Sequence, residues 1–262
     1  MKLLLVQPEL AYDPDADNVG AVERVVAPFA GSLEANDIVL LPEHFDLRPS
    51  RAAYETDVRG LARRLGCHVV GGSHHELRDD GSVNSGIVAN AAGELVGRYE
   101  KLRPYADERS RVRQGAGLGE LTIGGHAVLV LICADFWFSD IFYRATVLPD
   151  LVLVPALSVT RKPTPHYSRA LWTHLAVARA YEFGAYVGVS DWAHIEAPGL
   201  PTPSGVAGLA DPTTSDATTL FLPIGAGARL YELDFAALSE LRRDRTTRGF
   251  FWKAPPNGES AP

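Results

Sequence analysis

The feature that most constrains this chain is a set of short apolar runs in which Val, Leu and Ile follow one another almost without interruption. They lie at Lys2–Gln7, Asp37–Pro42, Cys67–Ser73, Ala127–Cys133, Asp150–Pro155 and Ala185–Ser190. A strand with one wet face alternates apolar and polar residues, so unbroken runs of this kind predict strands covered on both faces. Stretches with helical spacing separate them at Val19–Ala35, Ser50–Leu65 and Tyr167–Phe183, the order expected of a layered α/β fold. Two hairpin breaks interrupt the pattern. Asn90-Ala-Ala-Gly93 divides Val83–Ala89 from Glu94–Tyr99, and Gly124-Gly125 divides Glu120–Ile123 from Ala127–Cys133. The sheets are therefore expected to be mixed rather than purely parallel.

A chain of 262 residues with 46% hydrophobic content has enough material for a large core. Its 25 Lys+Arg against 32 Asp+Glu give a formal net charge of −7, which argues against nucleic acid or an anionic membrane as the partner. Two cysteines do not make a disulfide scaffold. Gln7, Pro8 and Glu9 interrupt the first apolar run before it reaches signal-peptide or membrane length, so the expected location is cytoplasmic. One domain over residues 1–253 is expected, followed by a Pro/Gly-rich tail over 254–262.

Three reactive side chains stand directly after apolar strands, where layered α/β folds open their ligand crevices. They are Glu43 after Ile38-Val-Leu-Leu-Pro42, Lys101 after Gly97-Arg-Tyr-Glu100, and Cys133 after Val128-Leu-Val-Leu-Ile132. A free thiol is only a few per cent thiolate at neutral pH, so a neighbouring carboxylate is needed to take its proton. An ammonium stabilises the anion of a tetrahedral intermediate. Each residue also has an ordinary reading, a buried small apolar group for the cysteine and solvated loop charges for the other two. Periodicity alone does not bring them together.

The segments Leu40-Leu-Pro-Glu43, Gly97-Arg-Tyr-Glu-Lys101-Leu and Leu131-Ile-Cys133-Ala-Asp135 resemble, in order and separation, the signature blocks of the nitrilase superfamily, the carbon–nitrogen hydrolases. Asn84 with Gly93–Arg98, Trp172 with Ala178–Glu182, and Gly205 with Pro212 extend the resemblance across roughly Lys2 to Pro212. It implies an α/β fold, a four-layer α-β-β-α sandwich with two mixed sheets, paired into a homodimer or higher oligomer through helix faces. It further implies Cys133 as nucleophile, Glu43 as general base and acid, Lys101 with the Ala134 N–H as oxyanion site, and Glu108 as a second carboxylate supporting the base. The implied reaction cleaves a small amide or carbamoyl compound through a thioester, with no metal or organic cofactor. Hydrolysis of a small nitrile is the alternative, and a non-catalytic binding protein keeping the fold is the third reading. Phe136 and Trp137, next to the nucleophile, are candidates for an apolar substrate wall. Arg161, with Lys162, is a candidate to bind a substrate carboxylate. Glu100, Ser139, Ala207 and Thr214 depart from the family pattern and leave the substrate open.

Other signals carry less. Asp13, Asp15 and Asp17 alternate like a calcium loop, but Asn18 and Arg24 stand where Gly and Glu are required. Gly115-Ala-Gly117-Leu-Gly119 meets Glu120 where a dinucleotide fingerprint needs its third glycine. His74-His75-Glu76 has metal-ligand residue types, yet adjacent side chains on extended backbone point to opposite faces. Cys67 reads as a core thiol. A Cys133 site with His166 or His174 as base is the rival arrangement.

Overall fold

The computed structural model of the chain describes residues 1–48, 50–196, 199–250 and 252–253. The tail expected over 254–262 lies outside them. In order the elements are β1 (Lys2–Gln7), α1 (Asn18–Val26), β2 (Ile38–Leu40), α2 (Arg51–Leu65), β3 (His68–Val70), β4 (His74–Arg78), β5 (Gly81–Ala89), β6 (Leu95–Glu100), β7 (Val112–Arg113), β8 (Gly119–Ile123), β9 (His126–Val130), α3 (Ser139–Phe142), β10 (Leu151–Pro155), α4 (His166–Phe183), β11 (Tyr186–Ser190), β12 (Gly208–Ala210), β13 (Phe221–Pro223), β14 (Gly227–Glu232) and α5 (Phe235–Thr247).

The strands form two mixed sheets. One runs β14-β1-β2-β3-β5-β4, with β6 and β7 also paired to β5; the other runs β13-β12-β11-β10-β9-β8. In the first, β1, β2 and β3 are parallel neighbours. In the second, β9, β10 and β11 are. Both sequence hairpins form, β5–β6 and β8–β9.

The two-residue period of the strands sorts side chains into layers. Leu3 and Leu5 of β1 meet Leu151 and Leu153 of β10 between the sheets. Leu4 and Val6 turn the other way onto Val22 and Val26 of α1 and Val58 and Leu61 of α2. Val152 and Val154 turn outward onto Trp172, Ala176 and Phe183 of α4. That is a four-layer α-β-β-α arrangement, and it explains why the strands read as continuous apolar runs. Each such side chain, fully buried, contributes about 1.5–3 kcal/mol.

One helix boundary differs from the sequence expectation, and the next helix forms where expected. The first helix ends at Val26, and a 3-10 helix over Ala27–Ser32 follows with Pro28 at its start; proline removes the N–H an α-helix would need there. The second begins at Arg51, where Ser50 accepts from Ala53 N, and ends at Gly66, whose φ of 65° is left-handed. Among the described residues no helix is long and apolar enough to cross a membrane.

The sheets are stitched together at the carboxyl ends of their parallel strands. Ser190 Oγ donates to Leu40 O at 2.8 Å and accepts from Val6 N at 3.0 Å. Glu43 N donates to Ala156 O at 3.2 Å. Just beyond this seam lies a buried polar cluster.

Candidate active site

Glu43 follows β2 through Leu41 and Pro42, and its peptide is clamped from the opposite sheet. Trp192 Nε1 donates to Glu43 O at 2.7 Å, while Gly72 packs so closely that a Cβ there would stand 2.0 Å from Pro42 O. Lys101 follows β6 and donates its N–H to Asn84 O at 2.9 Å. Its carbonyl accepts from Gly115 N at 2.8 Å, and a Cβ on Gly115 would stand 2.5 Å from Glu100 Cβ. The glycine-rich stretch is thus a packing loop against the lysine strand. Cys133 comes two residues beyond the hydrogen bond from Leu131 N to Leu153 O that joins the end of β9 to β10, and opens a 3-10 turn over Cys133–Trp137.

Among the described residues, non-glycine residues with left-handed φ are His44 (54°), Ala106 (51°) and Cys133 (46°). One is the candidate nucleophile, one follows Glu43, and one begins the 3-10 turn that carries Glu108. Such conformations cost roughly 1–3 kcal/mol each and survive where the surroundings over-determine them.

The side chains converge. Lys101 Nζ donates to Glu43 Oε1 at 2.7 Å and to Glu108 Oε2 at 2.5 Å. Asn84 Nδ2 donates to Glu43 Oε1 at 3.0 Å and to Glu108 Oε1 at 2.9 Å. Leu157 N donates to the remaining oxygen of Glu43 at 3.1 Å. The thiol of Cys133 lies 3.8 Å from the carbonyl oxygen of Leu157, the residue whose N–H holds Glu43, and the charge of the Glu43 carboxylate acts on it. Glu43, Asn84 and Lys101 are almost wholly buried.

Burial pushes the Cys133 thiol well above its usual range, the charge of Glu43 adds to this, and Lys101 only partly opposes it. The resting sulfur is therefore protonated and needs a base in contact. Burial alone would depress the Lys101 ammonium, but Glu43, Cys133 and Glu108 outweigh it and hold it charged. Burial alone would raise the Glu108 carboxyl; hydrogen bonds from His44 and His75 and the Lys101 charge reverse this and keep it far below the ordinary carboxylate range.

Two buried aspartates brace the arrangement. Asp135 accepts from Leu102 N and Arg103 N, both at 2.8 Å, tying the segment after Lys101 to the segment after Cys133. Asp191 accepts from Ser158 N at 3.0 Å and Val206 N at 2.9 Å, fixing the loop that presents both polar groups of Leu157. Burial raises each of these carboxyls to about 6 despite the donors.

The other candidates scatter. Ala134 is buried in the first turn of its 3-10 segment, where leading N–H groups have no acceptor within the turn. Phe136 gives up the expected wall position for the outer core: it is fully buried, its ring 6.0 Å from those of Phe142 and Trp172. The residue's place in the 3-10 turn aims it under the sheet. Trp137 is 38% exposed and meets Trp172 edge-on. Arg161 is exposed and lies over the Tyr105 ring at 5.6 Å, and Tyr105 N donates to Glu108 Oε2 at 3.2 Å. Glu100 is paired with Arg78 at 2.7 Å, so it stays off the lysine despite its adjacency. His166 and His174 are exposed on α4. The histidines that do reach the cluster are His44, whose Nε2 is 3.7 Å from Glu43 Oε1, and His75, whose Nε2 is 3.1 Å from Glu108 Oε1.

The carbon–nitrogen hydrolase family profile matches residues 5–205. No curated protein gives a significant sequence match. Among solved structures, XC1258 from Xanthomonas campestris, a CN-hydrolase superfamily protein described with an arsenic adduct in its active site, superposes with a TM-score of 0.76 at 21% identity, covering 98% of this chain and 99% of that one. Nit3 of Saccharomyces cerevisiae, a member of the nitrilase superfamily, gives 0.77 at 19% identity over 93% of both chains. An amidase from Nesterenkonia sp. AN1, in a variant with acrylamide added at its active-site cysteine, gives 0.73 at 22% identity over 96% of this chain and 100% of that one.

Proposed function

The chain belongs to the carbon–nitrogen hydrolase family, and on that premise we propose that it hydrolyses the C–N bond of a small amide or carbamoyl compound through a thioester on Cys133. The observation that carries this reading is the gathering of Cys133 and Glu43 on the two polar groups of Leu157, at 3.8 and 3.1 Å, with Lys101 2.7 Å from the same carboxylate. A thiol kept protonated beside a carboxylate is poised for proton transfer at the moment of attack.

As the Cys133 sulfur bonds to the carbonyl carbon, its proton passes to Glu43. The carbonyl oxygen, now anionic, is held by Lys101 Nζ and the Ala134 N–H. Glu43 returns the proton to the nitrogen as the C–N bond breaks, leaving a thioester and a free amine or ammonia. Glu43 then takes a proton from water, the water oxygen attacks the thioester, and the carboxylic acid leaves as the thiol is re-protonated. Glu108 keeps Lys101 in position and balances its charge, while Asn84 holds both carboxylates. Arg161, at the rim beside Tyr105, would meet an anionic substituent on the substrate.

Amine and ammonia release from matched small amides, carbamoyl compounds and nitriles tests this. The expected result is release from amides or carbamoyl compounds by the wild type and none by Cys133→Ala. Release by the variant at the wild-type rate would overturn the reading, and turnover of nitriles alone would replace the amide substrate with a nitrile.

A further inference from the structure

β4 sends successive side chains to opposite faces. His74 stacks on Tyr54 at 4.1 Å, and Glu76 pairs with Arg51 and Arg78, both at 2.8 Å. His75, between them, points the other way, placing Nε2 3.1 Å from Glu108 Oε1. His44, thrown out of the ordinary backbone region by its φ of 54°, brings its own Nε2 to 3.5 Å from the same oxygen. The two rings meet edge to face at 4.3 Å, and one donor atom from each of the three residues lies within 4.8 Å of the others. Lys101 takes up only the second oxygen of Glu108.

We propose that His44, His75 and Glu108 form a binding site for a divalent transition-metal ion of the zinc class, and that its occupancy reversibly shuts down the adjacent thiol chemistry. The second half rests on the hydrolase reading above. Zinc-type ions bind imidazole and carboxylate at about 2.0–2.2 Å in tetrahedral sites, so donor atoms stand about 3.3 Å apart. The 3.1 and 3.5 Å separations already match, and the third edge closes by ring rotation. Two imidazoles select zinc, cobalt, nickel or copper; magnesium and calcium demand oxygen donors and more anionic charge than one carboxylate shared with Lys101. A fourth donor is at hand. Asn84 Nδ2 stands 2.9 Å from Glu108 Oε1 and 3.4 Å from His44 Nε2, on the edges of the same tetrahedron. Its Oδ1 is buried without a partner among the described residues, and a half-turn of the amide would present that oxygen to the ion. The ion would draw Glu108 away from Lys101, and the turned amide would withdraw its N–H from Glu43. Both changes weaken the machinery without touching sulfur.

Cobalt(II) is the probe, and Cys133→Ala is the protein for the binding test, because a thiol is itself a metal ligand. Titration of Cys133→Ala is expected to give the ligand-field bands of tetrahedral cobalt, saturating at one ion and displaced by zinc but not by magnesium or calcium. Adding His75→Gln, or separately His44→Asn, should weaken binding by more than about 100-fold, since even groups behind a ligand cost about 10–100-fold. His75 is 38% exposed on the sheet edge, so its variant is expected to fold, and the asparagine tolerates the φ at 44. Absence of saturable bands in Cys133→Ala, or bands unchanged in both histidine variants, would overturn the site. On wild type, zinc should abolish hydrolysis and a chelator restore it, with His75→Gln resistant; equal zinc sensitivity in that variant would overturn the switch. If the wild type hydrolyses nothing even after chelation while cobalt still binds, the hydrolase reading fails and the metal site stands.

Discussion

Between the sheets, Leu3 and Leu5 face Leu151 and Leu153 in a layer held by many interchangeable contacts. Just past the ends of β2, β6 and β9, Glu43, Lys101 and Asp135 are nearly as buried but charged, and His44, Ala106 and Cys133 close by hold strained backbone. The strand interiors gain stability from apolar area, which is spread over many residues and forgiving of any one loss. The strand ends concentrate costs, desolvated charge and left-handed φ, in a few positions where each group satisfies another. The difference teaches where stability and chemistry separate in this fold, and substitutions in the two regions should fail in different ways.

The largest expected effect is at Cys133→Ala, which removes the attacking atom. The fall in kcat/KM should exceed about 10⁴-fold, with little change in melting temperature, as steady-state kinetics and calorimetry would show. Lys101→Met comes next and should cost both properties. It leaves Glu43 and Glu108 facing each other without their shared cation, a loss of about 3–5 kcal/mol when one partner of a buried ion pair is removed, readable by urea denaturation. Leu153→Ala marks the opposite pole. A core cavity costs about 2–5 kcal/mol, yet activity per folded molecule should stay near the wild-type value. An equal loss of specific activity there would break the distinction between the two regions.

The smallest effect concerns Glu76, a buried carboxylate paired with Arg51 and Arg78 outside the site. Burial would raise its carboxyl, but hydrogen bonds from Arg78 and Ser85 with the Arg51 charge lower it from 4.5 to about 2. A depressed carboxyl adds stability that is fully present above about pH 4.5 and is lost as pH falls toward 2. Glu76→Gln should therefore destabilise by about 1–2 kcal/mol at neutral pH and converge with the wild type in acid. A constant gap at all pH values in thermal melts would remove the electrostatic account.

Much of this division was readable in advance. Unbroken apolar runs announced strands covered on both faces, and the motif resemblance picked out Glu43, Lys101, Glu108 and Cys133, which the fold brings to one place. The short strands β12 and β13 were not readable: three residues carry no period, and Gly208 and Pro223 break the kind of apolar run that marks the equally short β2 and β3. Nor was the role of Asp135 or Asp191, whose donors come from segments distant in sequence. In sequence, His75 argues against its own role as a ligand because its neighbour His74 faces the other way. That geometry holds, but His75 finds its partners at positions 44 and 108, which lie beyond other strands of the same sheet and come near only in the folded chain. Phe136 shows the converse limit: adjacency to Cys133 in sequence says nothing about which side of a 3-10 turn a ring takes.

The most direct test of the strand-end account is intact-protein mass spectrometry during turnover of a small amide substrate. The account predicts a transient acyl adduct on the wild type, none on Cys133→Ala, and a longer-lived adduct on Glu43→Gln wherever that variant acylates at all, because its side chain no longer activates water. Turnover with the adduct on another residue, or an adduct that persists on Cys133→Ala, would contradict it.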